Sequence, residues 1–273
     1  MKKWCLLLCL CMMLCLLAGC AAGEVAAPSA VSEAPPAQSL AEKEAPKEEA
    51  TIRCRVVTGA EEDTLLLAEL EGSGVFTLST KDLTVTRGGA EWAPGDSLKN
   101  GDLVTVGYDG TIMETYPGRL SGAQWMDVEN GGRDDLGALY LRVLEDLWAV
   151  DSALNSNITM VGMDLSATSL SGSERAAVGW AFAQNHGVEL VEGTWQELRD
   201  AGYIDGENLY WEDGCHFSIT EKPMEGVYSL RPVTFDAQKW RSGLGAYFFC
   251  DCTSVQSALG QWDGYAVGAE AIS

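Results

Sequence analysis

The chain has 273 residues, with 40 acidic against 18 basic side chains, two histidines and a formal net charge of −22. Its 47% hydrophobic and 21% charged residues mark a folding chain long enough for one large or two small domains. The charge excludes nucleic-acid binding and a polybasic membrane-surface mode, because both need clustered Lys and Arg.

Lys2 and Lys3 precede an unbroken apolar run, Trp4 to Leu17, and then Leu17-Ala18-Gly19-Cys20. An aliphatic residue, two small residues and a cysteine in that order resemble the lipobox of bacterial lipoproteins. The resemblance implies that residues 1–19 are a signal peptide and that the mature chain begins at Cys20. The Cys20 thiol then carries diacylglycerol. A transmembrane helix over the same run is the competing reading, but the box and the polar tract after it favour processing. Lipid chains contribute about 0.8 kcal/mol per buried methylene, so the implied place is the outer face of the cell membrane, with the membrane as partner through the lipid anchor. Four cysteines remain beyond Cys20: Cys54, Cys215, Cys250 and Cys252.

Residues 20–50 are rich in Ala, Pro, Ser and Glu and lack aromatic residues, which predicts a disordered tether. From Thr51 the pattern turns to short strands. Ile52, Cys54 and Val56 alternate with Arg53 and Arg55, and further strands are expected at 64–70, 75–78, 83–86 and 124–128. Between them, 103–108 and 111–116 flank Asp109-Gly110, a two-residue hairpin signal. This spacing predicts a small β-barrel domain over 51–130.

The stretch NGDLVTVGYDGTIMETYPG, residues 100–118, is similar to a small extracytoplasmic domain of Gram-positive lipoproteins, which implies an OB-like barrel without an assigned function. Oligonucleotide binding is not carried over. Residues 51–135 hold 15 acids against 7 bases, the wrong balance for a nucleic-acid face.

A second domain is expected over 134–273, after the flexible Gly131-Gly132 break. Asp134 and Asp135 precede a helix with apolar Leu136, Tyr140, Val143, Leu144, Leu147 and Trp148. A strand is expected at 158–165. Ser171 to Glu174 and Thr194 to Glu197 are capping boxes that open two further helices. Strands are then expected at 209–212, 215–220, 228–235, 246–252 and 264–272, with Asp213-Gly214 as another hairpin signal. Helices first and adjacent strands later predict an α+β domain, its helices on one face of a mainly antiparallel sheet, without βαβ alternation. The segments ENLYWEDG, FDAQKWRSGLGAYFF and GQWDGYAVGAEAIS resemble secreted Gram-positive domains of unknown function. The likeness to cystatin-like or NTF2-like sheets is analogy, and it implies no reaction.

No nucleophile elbow, HExxH, P-loop or complete dinucleotide fingerprint occurs, and no cofactor or metal is implied. Gly243-Leu244-Gly245 reads as a tight turn between strands. His186 beside Gly187 reads as a helix C-terminal capping residue. Glu145-Asp146 and Glu212-Asp213 are acid pairs on an outward helix face and at a turn. Eight tryptophans follow the signal, and Trp211, Trp240 with Arg241, and Trp262 form the candidate ligand groove. Cys250 and Cys252 lie two apart in one strand and are expected to face the same side. Cys215 and His216 must face opposite sides. Free thiols, or one disulfide from Cys215 to Cys250 or Cys252, are expected, with no structural metal. Two functional classes stand open. One is a non-catalytic envelope lipoprotein binding a peptide, glycan, wall fragment or protein partner. The other is a hydrolase using Cys250 or Cys252 with His216.

Overall fold

The computed structural model describes residues 50–224, 226 and 228–273. The expected signal peptide, Cys20 lipidation site and tether lie outside the described residues, apart from the last residue of the expected tether, Ala50, which begins the first strand.

The first sheet has nine strands: β1 (Ala50–Thr58), β2 (Thr64–Glu69), β3 (Val75–Ser79), β4 (Thr84–Arg87), β5 (Ala90–Glu91), β6 (Leu103–Tyr108), β7 (Ile112–Met113), β8 (Gly118–Leu120) and β9 (Trp125–Val128). They run in the order β5-β4-β9-β6-β1-β2-β3-β8-β7. The sheet is mixed, with β3–β8 and β4–β9 parallel, and its terminal strands β5 and β7 do not pair to close a barrel. Alternation in β1 and β6 follows the expected pattern. Cys54, Val56, Val104 and Val106 are buried and pack with Leu65, Leu67 and Met126 in a core belonging to this sheet alone.

The Asp109-Gly110 hairpin does not form. The Asp109 carboxylate accepts the Thr111 N–H at 2.9 Å, and the chain turns away so that β7 pairs with β8. An Asx turn thus overrides the two-residue hairpin there.

The second sheet and its helices follow: α1 (Leu136–Ala149), β10 (Met160–Asp164), α2 (Gly172–His186), β11 (Glu189–Glu192), α3 (Trp195–Asp200), β12 (Gly214–Glu221), β13 (Pro232–Ser242), β14 (Gly245–Val255) and β15 (Ala269–Ile272). The order is β11-β10-β12-β13-β14-β15, and β10 pairs in parallel with both β11 and β12. The remaining pairs are antiparallel. A β10–α2–β11–α3–β12 alternation therefore exists where none was expected. Its link is β11, four residues with Glu at both ends between Gly187 and Gly193, too short and too polar to announce itself. The 209–212 segment is not a strand, so Asp213-Gly214 is no hairpin; Gly214 opens a strand parallel to β10. The turn at Gly243-Leu244 does join β13 to β14.

The helices occupy both faces of this sheet, not one. Val161, Met163, Cys215, Phe217, Phe235 and Ala237 point toward α1 and α2. The same core takes in Val57, Leu66, Ala68 and Val75 of the first sheet, so α1 and α2 form an apolar layer shared by both sheets. On the opposite face Leu198 of α3 packs with Ile204, Trp211, Met160, Val191 and Trp240. Gly162 makes that closure feasible, because a Cβ there would lie 2.5 Å from Leu198 and 2.8 Å from Trp211. The two layers are also tied by polar groups. The Ser173 hydroxyl donates to the Glu69 carbonyl at 2.6 Å, and Arg55 Nε lies 2.9 Å from Glu174 Oε1 as an ion pair without hydrogen-bond alignment.

Both expected capping boxes form. Ser171 Oγ accepts the Glu174 N–H while Glu174 accepts the Ser171 N–H, and Gly187 ends α2 with a φ of 64°. Thr194 and Glu197 repeat the arrangement at α3. At α1, Asp135 makes no side-chain cap. Its carboxylate accepts the Trp262 N–H at 2.7 Å, while Asp134 accepts both the Leu136 N–H and the Trp262 indole.

Candidate functional site

The two buried tryptophans of the expected groove face different cores. Trp211 is 1% exposed and packs with the partly buried Trp240 beneath α3, whereas Trp262 is fully buried in the α1/α2 core. Arg241 donates to the carbonyls of Leu154, Ser156 and Glu212, pinning two loops to β13. These four residues therefore do not line one surface groove. His186 lies in the last turn of α2, where its Nε2 is 2.8 Å from Glu145 and its ring stacks on Trp148 at 3.8 Å.

The described cysteines are all free. Cys215 and Cys252 face the α1/α2 core, and His216, the partner of Cys250 or Cys252 in the hydrolase reading, faces the other side of the sheet. Burial pushes the Cys215 and Cys252 thiols up to about 12, far from a reactive thiolate. The expectation that Cys250 and Cys252 share a face is corrected by a bulge. Asp251 takes a φ of 52°, the register slips opposite Phe235 and Ala237, and Phe249 and Cys252 enter the core instead. No thiol–imidazole pair results from this arrangement.

The position that does gather chemistry is the carboxyl end of β10 and β11. Connections leave these neighbouring parallel strands toward opposite faces, β10 to α2 and β11 to α3. Such a divergence opens a crevice at the strand ends in α/β sheets generally. Here the crevice measures about 270 Å³ and is lined by Asp164, Ser166, Arg175, Glu192, Thr194 and Glu197, among others. Asp164 Oδ1 accepts the Ser166 N–H at 2.9 Å and its hydroxyl at 2.6 Å, which fixes the carboxylate at the mouth. Arg175 gives one N–H to the Leu170 carbonyl at 3.0 Å and makes no ion pair among the described residues. Glu197 is held below the usual carboxylate range by the Thr194 backbone N–H and hydroxyl. Under the floor, the His216 Nε2–H donates to the Gly193 carbonyl at 3.2 Å, and Nδ1 is buried without a partner among the described residues. Burial lowers the pKa of this imidazole, leaving it neutral.

Three carboxylates and one guanidinium line the crevice, a set that suits a zwitterionic or amine-bearing polar ligand, while the Ser166 and Thr194 hydroxyls donate to Asp164 and Glu197. Among the described residues no cluster of three His, Cys, Asp or Glu side chains is arranged to hold a metal. Sequence reading marked Thr194 and Glu197 as a cap but missed Asp164, Arg175 and Glu192 as a set. The available signal was two capping boxes in succession, each preceded by a short apolar segment, which is how a βαβα series reads. No family model matches the chain, and no curated protein matches it.

Proposed function

We propose that this chain is a membrane-anchored extracytoplasmic lipoprotein, non-catalytic, that binds a polar envelope ligand such as a peptide or cell-wall fragment in the crevice above β10 and β11. The observation that carries the binding reading is the convergence of Asp164, Glu192 and Arg175 where two parallel connections diverge. Titration of the mature chain with muropeptides released by muramidase tests it. Asp164→Asn should weaken binding by about tenfold, the order of one charge-assisted hydrogen bond. Unchanged affinity refutes the site.

The anchor rests on the Leu17–Cys20 tetrapeptide. Metabolic labelling with a fatty-acid analogue should mark the wild type and not Cys20→Ala; an unlabelled wild type refutes lipidation. We further read residues 51–130 as an OB-like module and 134–273 as its α+β partner, with Gly131-Gly132 as the break. Limited proteolysis should cut the tether first and that break next.

A further inference from the structure

Beside the crevice runs a second feature, the outer edge of β11. This strand ends its sheet, and no described strand pairs with its far side. In the parallel pairing to β10, the N–H groups of Glu189 and Gly193 point inward to the Thr159 and Met163 carbonyls. By the alternation of the ladder, the N–H and C=O groups of Leu190 and Glu192 point outward, and none makes a hydrogen bond to a described residue. Against this edge lies an open groove of about 510 Å³, walled by Trp180, Ala183 and Val188 from α2 and its exit, and by Tyr116 from the first sheet. Tyr116 is 62% exposed, an aromatic ring left in solvent at the groove's rim. The charged residues of the groove are Glu189 and Glu192, both acidic and exposed.

The geometry points to strand addition: an extended peptide with alternating apolar and cationic side chains docks on the β11 edge. Its backbone pairs with Leu190 and Glu192, its apolar side chains enter the groove toward Trp180 and Val188 on the α2 face, and its cations, projecting to the opposite face, meet Glu189, with Glu192 adding to the negative field of the edge. Charge selects this occupant over two others. The chain's own residues 21–49 carry six acids against two lysines and would be repelled. A second copy pairing β11 to β11 would set Glu189 and Glu192 against themselves.

The test uses the mature chain and a fluorescent octapeptide of alternating Val and Lys, beside a Val–Glu counterpart and a version N-methylated on alternate amides. The Val–Lys peptide should bind saturably and the other two should not. Glu192→Pro removes an outward N–H and a charge while leaving the inward ladder intact, and should weaken binding by about tenfold. Tyr116→Ala, at the exposed rim, should weaken it several-fold. If Glu192→Pro fails to fold, the N-methyl comparison on the wild type and Tyr116→Ala decide. Equal binding of the N-methylated or the Val–Glu peptide overturns strand addition, as does a dimer by light scattering that Glu192→Pro abolishes and the peptide cannot compete away. Glu192 lines both sites, so the separation rests on the other two variants: Asp164→Asn should leave peptide binding intact and Tyr116→Ala should leave muropeptide binding intact, and this inference and the crevice reading then fail separately.

Discussion

The α1/α2 layer and the carboxyl edge of β10 and β11 share the helix α2, yet they solve opposite problems. In the layer, Leu139, Tyr140, Val143, Leu144, Phe182 and Trp262 are essentially without solvent, and strands from both sheets close over them. Even its polar groups are spoken for: the Tyr140 hydroxyl donates to Glu221 at 2.7 Å, and Lys239 Nζ is ringed by carbonyls at the end of α1 and by Asn155 Oδ1 at 2.8 Å. At the edge, Glu189, Glu192 and Ser166 stay exposed, and backbone groups of β11 face outward. The difference assigns stability to the shared layer and the proposed recognition to the open strand edge, the usual division when a rigid core positions loops for binding.

The strongest test of that division is Phe182→Ala. The ring lies 5.0 Å from Phe217 and 5.7 Å from Trp148 in edge-to-face contacts, fully buried. Its loss should cost about 3–5 kcal/mol in urea unfolding. Because the layer serves both sheets, tryptophan fluorescence and far-UV circular dichroism should still report one shared transition. Two separated transitions would show that the layer does not couple the sheets.

A smaller effect is expected at the rim. Thr194→Ala removes the hydroxyl that accepts the Glu197 N–H at 3.2 Å. The cost should be about 1 kcal/mol, and faster hydrogen exchange should be confined to α3 and the loop before it. Faster exchange spreading into α1 would break the distinction between rim and layer.

How much of this was legible in the sequence varied with the length scale of the cause. The alternation in β1 and β6 and both capping boxes are local, and the structure has them where the residues indicate. Apart from the Asp109 Asx turn, the failures involve a partner distant in the chain. β11 becomes a strand only because β10 offers it a ladder. Cys250 leaves the core because the bulge at Asp251 is set by the pairing with β13. Lys239 lies buried in β13, a strand that runs to Ser242 rather than ending near Phe235, because the end of α1 supplies oxygens for its ammonium. The crevice follows the same rule. Its capping residues were readable one by one, but their convergence depends on β11, β10 and β12 lying side by side, which no local pattern encodes.

The least effect is expected at His216, beneath the crevice, and it depends on pH. The buried imidazole makes one hydrogen bond, to the Gly193 carbonyl, while Nδ1 has no described partner to receive a second proton's charge. Burial lowers its folded-state pKa below the ordinary 6.5, against the weaker opposing pulls of the Gly193 hydrogen bond and the Asp164 carboxylate. The unfolded chain therefore binds a proton before the folded chain does as pH falls through about 6.5. The stability contribution is complete above that pH and is lost progressively on acidification toward the folded-state value. One site can change stability by at most about 1.4 kcal/mol per pH unit, which bounds the loss between pH 7.5 and 5.5. His216→Gln keeps an N–H for Gly193 and cannot titrate. Carboxylates common to both proteins cancel in the comparison, so the variant should lose less stability than wild type over this interval. Equal losses in the two proteins would place the acid sensitivity elsewhere and leave His216 a neutral packing group under the crevice floor.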